Sequence, residues 1–385
     1  KIRGSWGLVG NDATNAGRFA YMEDLVLGGS DSYTTGIRQD TYYSGPSWNR
    51  YFNPDLTWEV GEKINLGLDL QLFNDFNLTF DIFREKRRDI FMTRENSIPE
   101  IVGTGETKIT SNNGEMENKG LDLAIDYNKQ ITKDFFLSFK STLTFARNKV
   151  LKMDESPYFE YPGLSDVGHP LGTYWGYVAD GLFPDQETID NSPRQDLGYT
   201  PQPGDIKYVN QPNAKGEYDN VINSNDRVAI GHPYDPELVY GFGPSMKWKN
   251  WDFSFFFQGV ARTSFMMYGM HPFGTTSIKN MLQFVADDHW SVDNPNPNAA
   301  YPRLTKDSNG NNDQYSTYWL RNAAFLKLKN AEIGYTYKGM RFYLSGVNLL
   351  TFSPFKHWDP EMGGGNGLYY PTQRVFNIGF QMTIQ

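Results

Sequence analysis

The chain has 385 residues, no cysteine and a formal net charge of −9. That balance excludes disulfide frameworks and thiolate metal sites, and it argues against a general nucleic-acid binder, whose phosphate contacts need clustered Lys and Arg. The mean hydropathy is −0.58, and no stretch approaches the roughly 18 apolar residues of a spanning helix. A spanning β-barrel stays open, because only alternate barrel residues meet lipid and long polar loops dilute the average.

Taken in chain order, period-two alternation predicts ten strands, near 1–11, 57–73, 76–93, 115–131, 135–151, 238–250, 251–263, 319–337, 340–351 and 374–385. In the second, Leu66, Leu68 and Leu70 alternate with polar residues or glycine, and Phe80 continues the pattern in the third. Leu123, Phe139, Phe253 and Phe380 hold the same phase in later strands. Such a period puts one face against an apolar medium and the other against water. The eight residues just named are the expected lipid-facing set, with Asp69 among the inward ones. The last strand alternates most cleanly, from Phe376 to Ile384. That phase leads to the expectation of an aromatic at position 386 of the native protein.

The connections fall into two populations. Turns at 74–75, 132–134, 249–250 and 338–339 are minimal, whereas loops at 12–56, 94–114, 152–237, 264–318 and 352–373 are long. Outer-membrane barrels show this one-sided pattern, with short turns toward the periplasm and long loops outward. The expected fold is therefore all-β, a transmembrane antiparallel barrel with long extracellular loops. Ten strands opening directly at Lys1 read as an arc of a larger cylinder, since an open arc in lipid leaves two unpaired edges. The chain is thus expected to be the later part, over 1–385, of one barrel domain in a longer protein. A secreted β-sandwich that binds glycans or mediates adhesion is the alternative, and a glycan hydrolase is a third reading.

Candidate ligand contacts are the outward-loop aromatics Trp48, Tyr51, Tyr158, Tyr161, Trp175, Tyr177 and Tyr268, which stand near Asp and Asn. Flat rings with polar neighbours suit sugars or peptides; the competing role is packing the loops on one another. The run Arg84-Glu85-Lys86-Arg87-Arg88 lies at the outward end of a strand. It reads either as a clamp for outer-leaflet phosphates or as a solvated strand end. The five histidines form no HExxH pattern, no GxSxG elbow or Walker loop occurs, and neither catalysis nor a cofactor is expected. Gly363–Gly367 reads as a flexible outward loop tip.

Several stretches resemble the SusC-like branch of TonB-dependent transporters from Bacteroidetes outer membranes. They include Asn53-Pro54-Asp55-Leu56-Thr57-Trp58-Glu59, His169-Pro170-Leu171-Gly172-Thr173-Tyr174-Trp175-Gly176-Tyr177 and Gly204-Asp205-Ile206-Lys207-Tyr208. Trp319-Leu320-Arg321-Asn322, Phe325-Leu326-Lys327-Leu328-Lys329-Asn330, Ser345-Gly346-Val347-Asn348-Leu349-Leu350 and Trp358-Asp359-Pro360-Glu361 follow in order. The resemblance implies a 22-stranded plugged barrel, of which this chain covers roughly the ten C-terminal strands. It implies partners as well: the N-terminal barrel and plug, a SusD-like surface lipoprotein, the TonB complex, outer-membrane lipid and an oligosaccharide or peptide cargo. Family members often carry an acidic, calcium-like turn between Tyr208 and Asp226. Here Pro212 and Lys215 stand where carboxylates would be needed, and no metal is expected.

Overall fold

A computed structural model describes residues 1–13, 19–28, 32–94, 96, 98, 101, 109–156, 158, 160–268, 282–305 and 309–382. One sheet dominates it. Its strands are β1 (Ile2–Asn11), β2 (Glu59–Leu72), β3 (Phe76–Thr93), β4 (Thr110–Thr132), β5 (Phe135–Lys152), β6 (Leu238–Trp248), β7 (Trp251–Ala261), β8 (Phe325–Tyr337), β9 (Met340–Phe352) and β10 (Val375–Met382). They pair antiparallel in strict chain order, with β1 and β10 at the two edges. A single ten-stranded meander replaces the two packed layers that a sandwich requires.

The register explains the alternation. Ile2, Leu68, Phe80, Leu123, Leu143 and Tyr240 lie directly opposite one another across six successive strands. Paired residues share a face, so this row forms one apolar stripe. Phe139 stands opposite Tyr127, Phe253 opposite Ile333, and Phe380 opposite Phe342. All eight predicted lipid-facing residues therefore fall on the face the alternation assigns them. Leu66, Leu70 and Phe380 are exposed on the isolated sheet, Leu66 by 51% and Phe380 by 55%, and the other five are half-buried against their ladder neighbours. Trp248, Trp251 and Tyr335 are consecutive ladder partners at the short-turn end, where an interfacial aromatic girdle belongs.

The opposite face is charged. Arg3 bridges Asp69 at 2.9 Å and Asp81 at 2.8 Å, and Arg341 bridges Asp252 and Glu332. Each cluster lies over a glycine. A Cβ on Gly67 would come within 2.4 Å of Asp81, and one on Gly334 within 2.5 Å of Asp252. The missing side chains make room for the ion pairs.

Two features differ from the sequence reading. The fourth strand begins at Thr110 rather than 115, because a bulge around Asp89, whose φ is +57°, lets β3 continue pairing. The eighth begins at Phe325 rather than 319. Leu320–Asn322 leaves the sheet to pair with Ser264–Met266, and the Ala323 amide then donates to the Thr263 carbonyl. The end of the last strand, 383–385, falls outside the described residues, as does most of the 94–109 connection.

Candidate functional site: the outward cap and its cavity

The chain's apolar core lies in its loops. Tyr177, Ile206, Tyr208, Ile222, Phe265, Met267, Val285, Tyr301, Trp319 and Phe355 form one buried cluster. They come from three different connections, after β5, β7 and β9. Short ladders order the first two connections from within: Tyr174–Gly176 with Val228–Ile230, Ala179–Leu182 with Ile206–Tyr208, and Ser264–Met266 with Leu320–Asn322. Bridges from Tyr177 to Ser316 and from Met267 to Gly365 tie the three connections together. The long loops are therefore a folded cap rather than separate excursions.

A buried carboxylate organises its polar interior. Asp205 is fully buried and accepts hydrogen bonds from Asn309 Nδ2 at 3.0 Å, Asn312 Nδ2 at 2.8 Å and the Gln202 amide at 2.8 Å. Arg303 adds an ion pair at 3.0 Å. Burial works against the Arg303 charge, but bonds to Asp205 and Tyr199 outweigh it and hold the proton more firmly than usual. Asn311 Nδ2 donates to the Ile206 carbonyl at 2.8 Å, and Tyr208 donates to the Asn311 carbonyl at 2.7 Å. Burial raises the Tyr208 phenol far above its ordinary range, so it stays a donor.

A second polar group joins cap to wall. The Lys327 amine on β8 is fully buried and donates to Asp359 at 2.7 and 2.9 Å and also to Glu361. Lys329 reaches Glu361 at 3.0 Å. Burial opposes the Glu361 charge, yet the two lysines hold its carboxyl below the usual carboxylate range. The glycine run beyond it docks instead of forming the free tip expected from sequence. Gly365 donates to the Met266 carbonyl at 2.8 Å and accepts from the Tyr268 amide at 3.1 Å. A Cβ on Gly364 would meet the Met266 carbonyl at 2.3 Å, which is why a side chain is not tolerated there.

Beside the Asp205 network lies a cavity of about 380 Å³. Tyr268, Tyr301, Tyr315 and Trp319 supply aromatic wall, Met267, Val285 and Leu304 aliphatic wall, and Arg303, Asn309 and Gln314 polar groups. Mostly apolar walls with a few placed polar groups are what small-ligand sites show, and the volume suits one ring or one large side chain. Tyr268 is exposed, and its phenol is shifted upward chiefly by a hydrogen bond to Tyr369.

Of the seven aromatics expected at a ligand, only Tyr268 lines this cavity. Trp48 and Tyr51 stack on one another at 5.6 Å in the first outward loop. Trp175 donates to Asp166 at 2.6 Å and meets His169 edge-on. Tyr161 is half-buried at the cap of a short turn, and Tyr158 is exposed. Tyr177 is 3% exposed and packs on Tyr208. Its expected ligand contact is replaced by a core role, because its backbone bridge to Ser316 holds it within the packed cluster. Sequence reasoning missed Tyr301, Arg303 and Tyr315. The signal was the asparagine-rich stretch 309–312, too polar for an ordinary loop and used here to satisfy a buried carboxylate.

The turn compared with a calcium loop spends its side chains on its own backbone. Asn213 Oδ1 accepts from the Lys215 and Glu217 amides, and Asp226 accepts from Gln211 and Asn223. Among the described residues, no group of three or more His, Asp or Glu is arranged to hold a metal.

The family model described as TonB dependent receptor-like, beta-barrel, matches residues 15–349. TonB-dependent receptor P26 of Formosa agariphila is 28% identical over 100% of this chain and 40% of its own length. TonB-dependent receptor SusC of Bacteroides thetaiotaomicron is 28% identical over 99% of this chain and 37% of its own length. Among solved structures, the RagAB peptide transporter aligns with a TM-score of 0.72 at 21% identity, over 99% of this chain and 40% of that chain. The chain thus spans 40% or less of these relatives. A family match over most of the chain, on a lipid-facing meander of this kind, places it in the outer membrane and makes it a member of the TonB-dependent receptor-like β-barrel family.

Proposed function

We propose that this chain supplies wall and outward cap to a TonB-dependent importer that carries a large nutrient, an oligosaccharide or a peptide, across the outer membrane. The observation that supports it most is the joining of a lipid-facing wall to an outward cap with an aromatic-walled cavity. Cargo is captured by the cap and a surface lipoprotein lid. A plug from the remainder of the protein, driven through TonB, then opens the path. The chain's ten strands form the C-terminal arc of the barrel, and the other strands close it. Tyr268 is the first of the ligand contacts, with Trp48, Tyr51, Tyr158, Tyr161 and Trp175 on other outward surfaces.

Mass spectrometry of the complex purified from its native membrane tests this reading. A co-purified oligosaccharide or peptide, lost on cap deletion, is expected; an empty complex whose deletion leaves nutrient uptake unchanged would contradict it. Hydrogen exchange with and without the lipoprotein tests the lid, which should protect parts of 152–237 or 264–318. The ten strands expressed alone should lack heat-resistant barrel mobility on a gel, because both edges stay unpaired. Clean closure would instead make this chain a barrel by itself.

A further inference from the structure

The basic run at the outward end of β3 has a use that import leaves aside. Arg84 pairs directly with Lys119 on β4, and Lys119 with Arg147 on β5. These three cations continue the phase of Ile82, Leu121 and Phe145, so they stand on the lipid-facing side where the apolar stripe ends. With strands about 4.8 Å apart, the row spans roughly 10 Å. Like charges directly opposite one another destabilise a sheet, yet three stand in line here.

Two carboxylates beside the row hold it together, Glu117 two residues further outward on β4 and Glu237 just before β6. Glu117 contacts Arg84 and Lys119, each at 2.6 Å. Glu237 contacts Arg147 at 3.1 Å and Arg262 at 2.7 Å, and Arg262 lies over the Phe145 ring at 5.8 Å. Four cations thus share two carboxylates, which leaves an excess positive charge of two on this patch of a chain whose overall charge is −9. The carboxylates are nearly covered, with side-chain exposures of 12% and 3%, while Arg84, Lys119 and Arg147 keep 50%, 59% and 55%. About half of each of these side chains is thus open to the medium beyond the wall.

We infer that Arg84, Lys119, Arg147 and Arg262 form a seat for the phosphate of a phosphorylated outer-leaflet lipid. Guanidinium groups match phosphate oxygens in pairs, and the buried glutamates pre-order the row before the lipid arrives. The lower edge of the row meets the acyl region through Ile82, Leu121 and Phe145, which a free anion would not use.

The test uses the full-length receptor in phosphatidylcholine nanodiscs, titrated with fluorescent lipid A, with lipid A stripped of its phosphates, and with inorganic phosphate. Lipid A should bind in a salt-sensitive way. Removing charge should weaken it about fivefold per cation, hence about a hundredfold for the combined Arg84→Gln, Lys119→Gln, Arg147→Gln variant. Because that variant strands Glu117, a second one, Arg84→Gln, Glu117→Gln, Lys119→Gln, keeps the pair neutral; heat-modifiable gel mobility reports folding for both. Lys249→Gln, at a short turn on the other rim, should bind as wild type does. Equal binding by a folded row variant, equal binding of dephosphorylated lipid A, or displacement by inorganic phosphate at comparable concentration would each overturn the assignment.

Discussion

Wall and cap are built from the same chain by opposite rules. The wall exposes its apolar residues: Leu66, Phe342 and Phe380 are each about half exposed on the sheet. Its stability depends on backbone ladders and on lipid. The cap hides its apolar residues, with Ile206, Ile222 and Met267 fully buried, and it buries polar groups only with partners, as at Asp205. The wall is thus a membrane protein with a charged inner face, while the cap has the packing of a small soluble domain. Lys327 and its carboxylates join the two.

Substitutions that damage one region and spare the other test that contrast. The largest effect is expected from Leu68→Arg, since a mid-bilayer cation on a barrel's lipid face costs about 2–4 kcal/mol. Assembly should fail by heat-modifiable mobility, whereas Asp69→Asn, on the inner face in a partly exposed ion pair, should leave assembly and mobility close to wild type. Equal behaviour would mean that the faces are assigned the wrong way round.

Lys327→Met should do the reverse. It leaves Asp359 and Glu361 short of their buried partner at a cost of about 3 kcal/mol, the low end for a broken buried pair because Lys329 and water remain. Limited proteolysis should then cut within 353–374 while barrel mobility stays intact. Gly364→Ala drives a methyl into the Met266 carbonyl and should loosen the same segment by about 1–3 kcal/mol.

Acid should loosen the cap in two steps. His357 is held below its ordinary 6.5 by burial and by Arg321, so the fold favours its neutral form. The stability it contributes is complete above 6.5 and falls away as pH drops through the lower folded value. Glu361, held below 4.5, contributes above that value and loses its contribution at still lower pH. Protease sensitivity of the cap against pH should show both steps, and His357→Gln should remove the first. An unchanged profile in that variant would assign the first step elsewhere.

The wall was readable because its rule is local. Each strand states its facing every second residue, and Leu66, Leu68 and Leu70 need no distant contact to declare it. The cap was not readable in that way. Trp175 and Tyr177 look alike in sequence, yet one keeps an outward hydrogen bond to Asp166 and the other fills the core. Which is which depends on Tyr208, 31 positions further on from Tyr177. Nothing within its own strand marks Lys327 as buried, because its partner Asp359 lies 32 positions further on. Bulges at Asp89 and between Leu328 and Asn330 are equally silent, because one inserted residue shifts the phase without changing composition.

Hydrogen exchange on the full-length receptor in nanodiscs, without ligand or lipoprotein, tests the central contrast most directly. Amides of the cap ladders, among them Gly176, Tyr208, Ile230 and Met266, should be protected far beyond a free peptide, because the cap folds on its own packing. Exchange at free-peptide rates in those ladders, beside a protected wall, would show that the cap is not folded without a partner and would contradict this account.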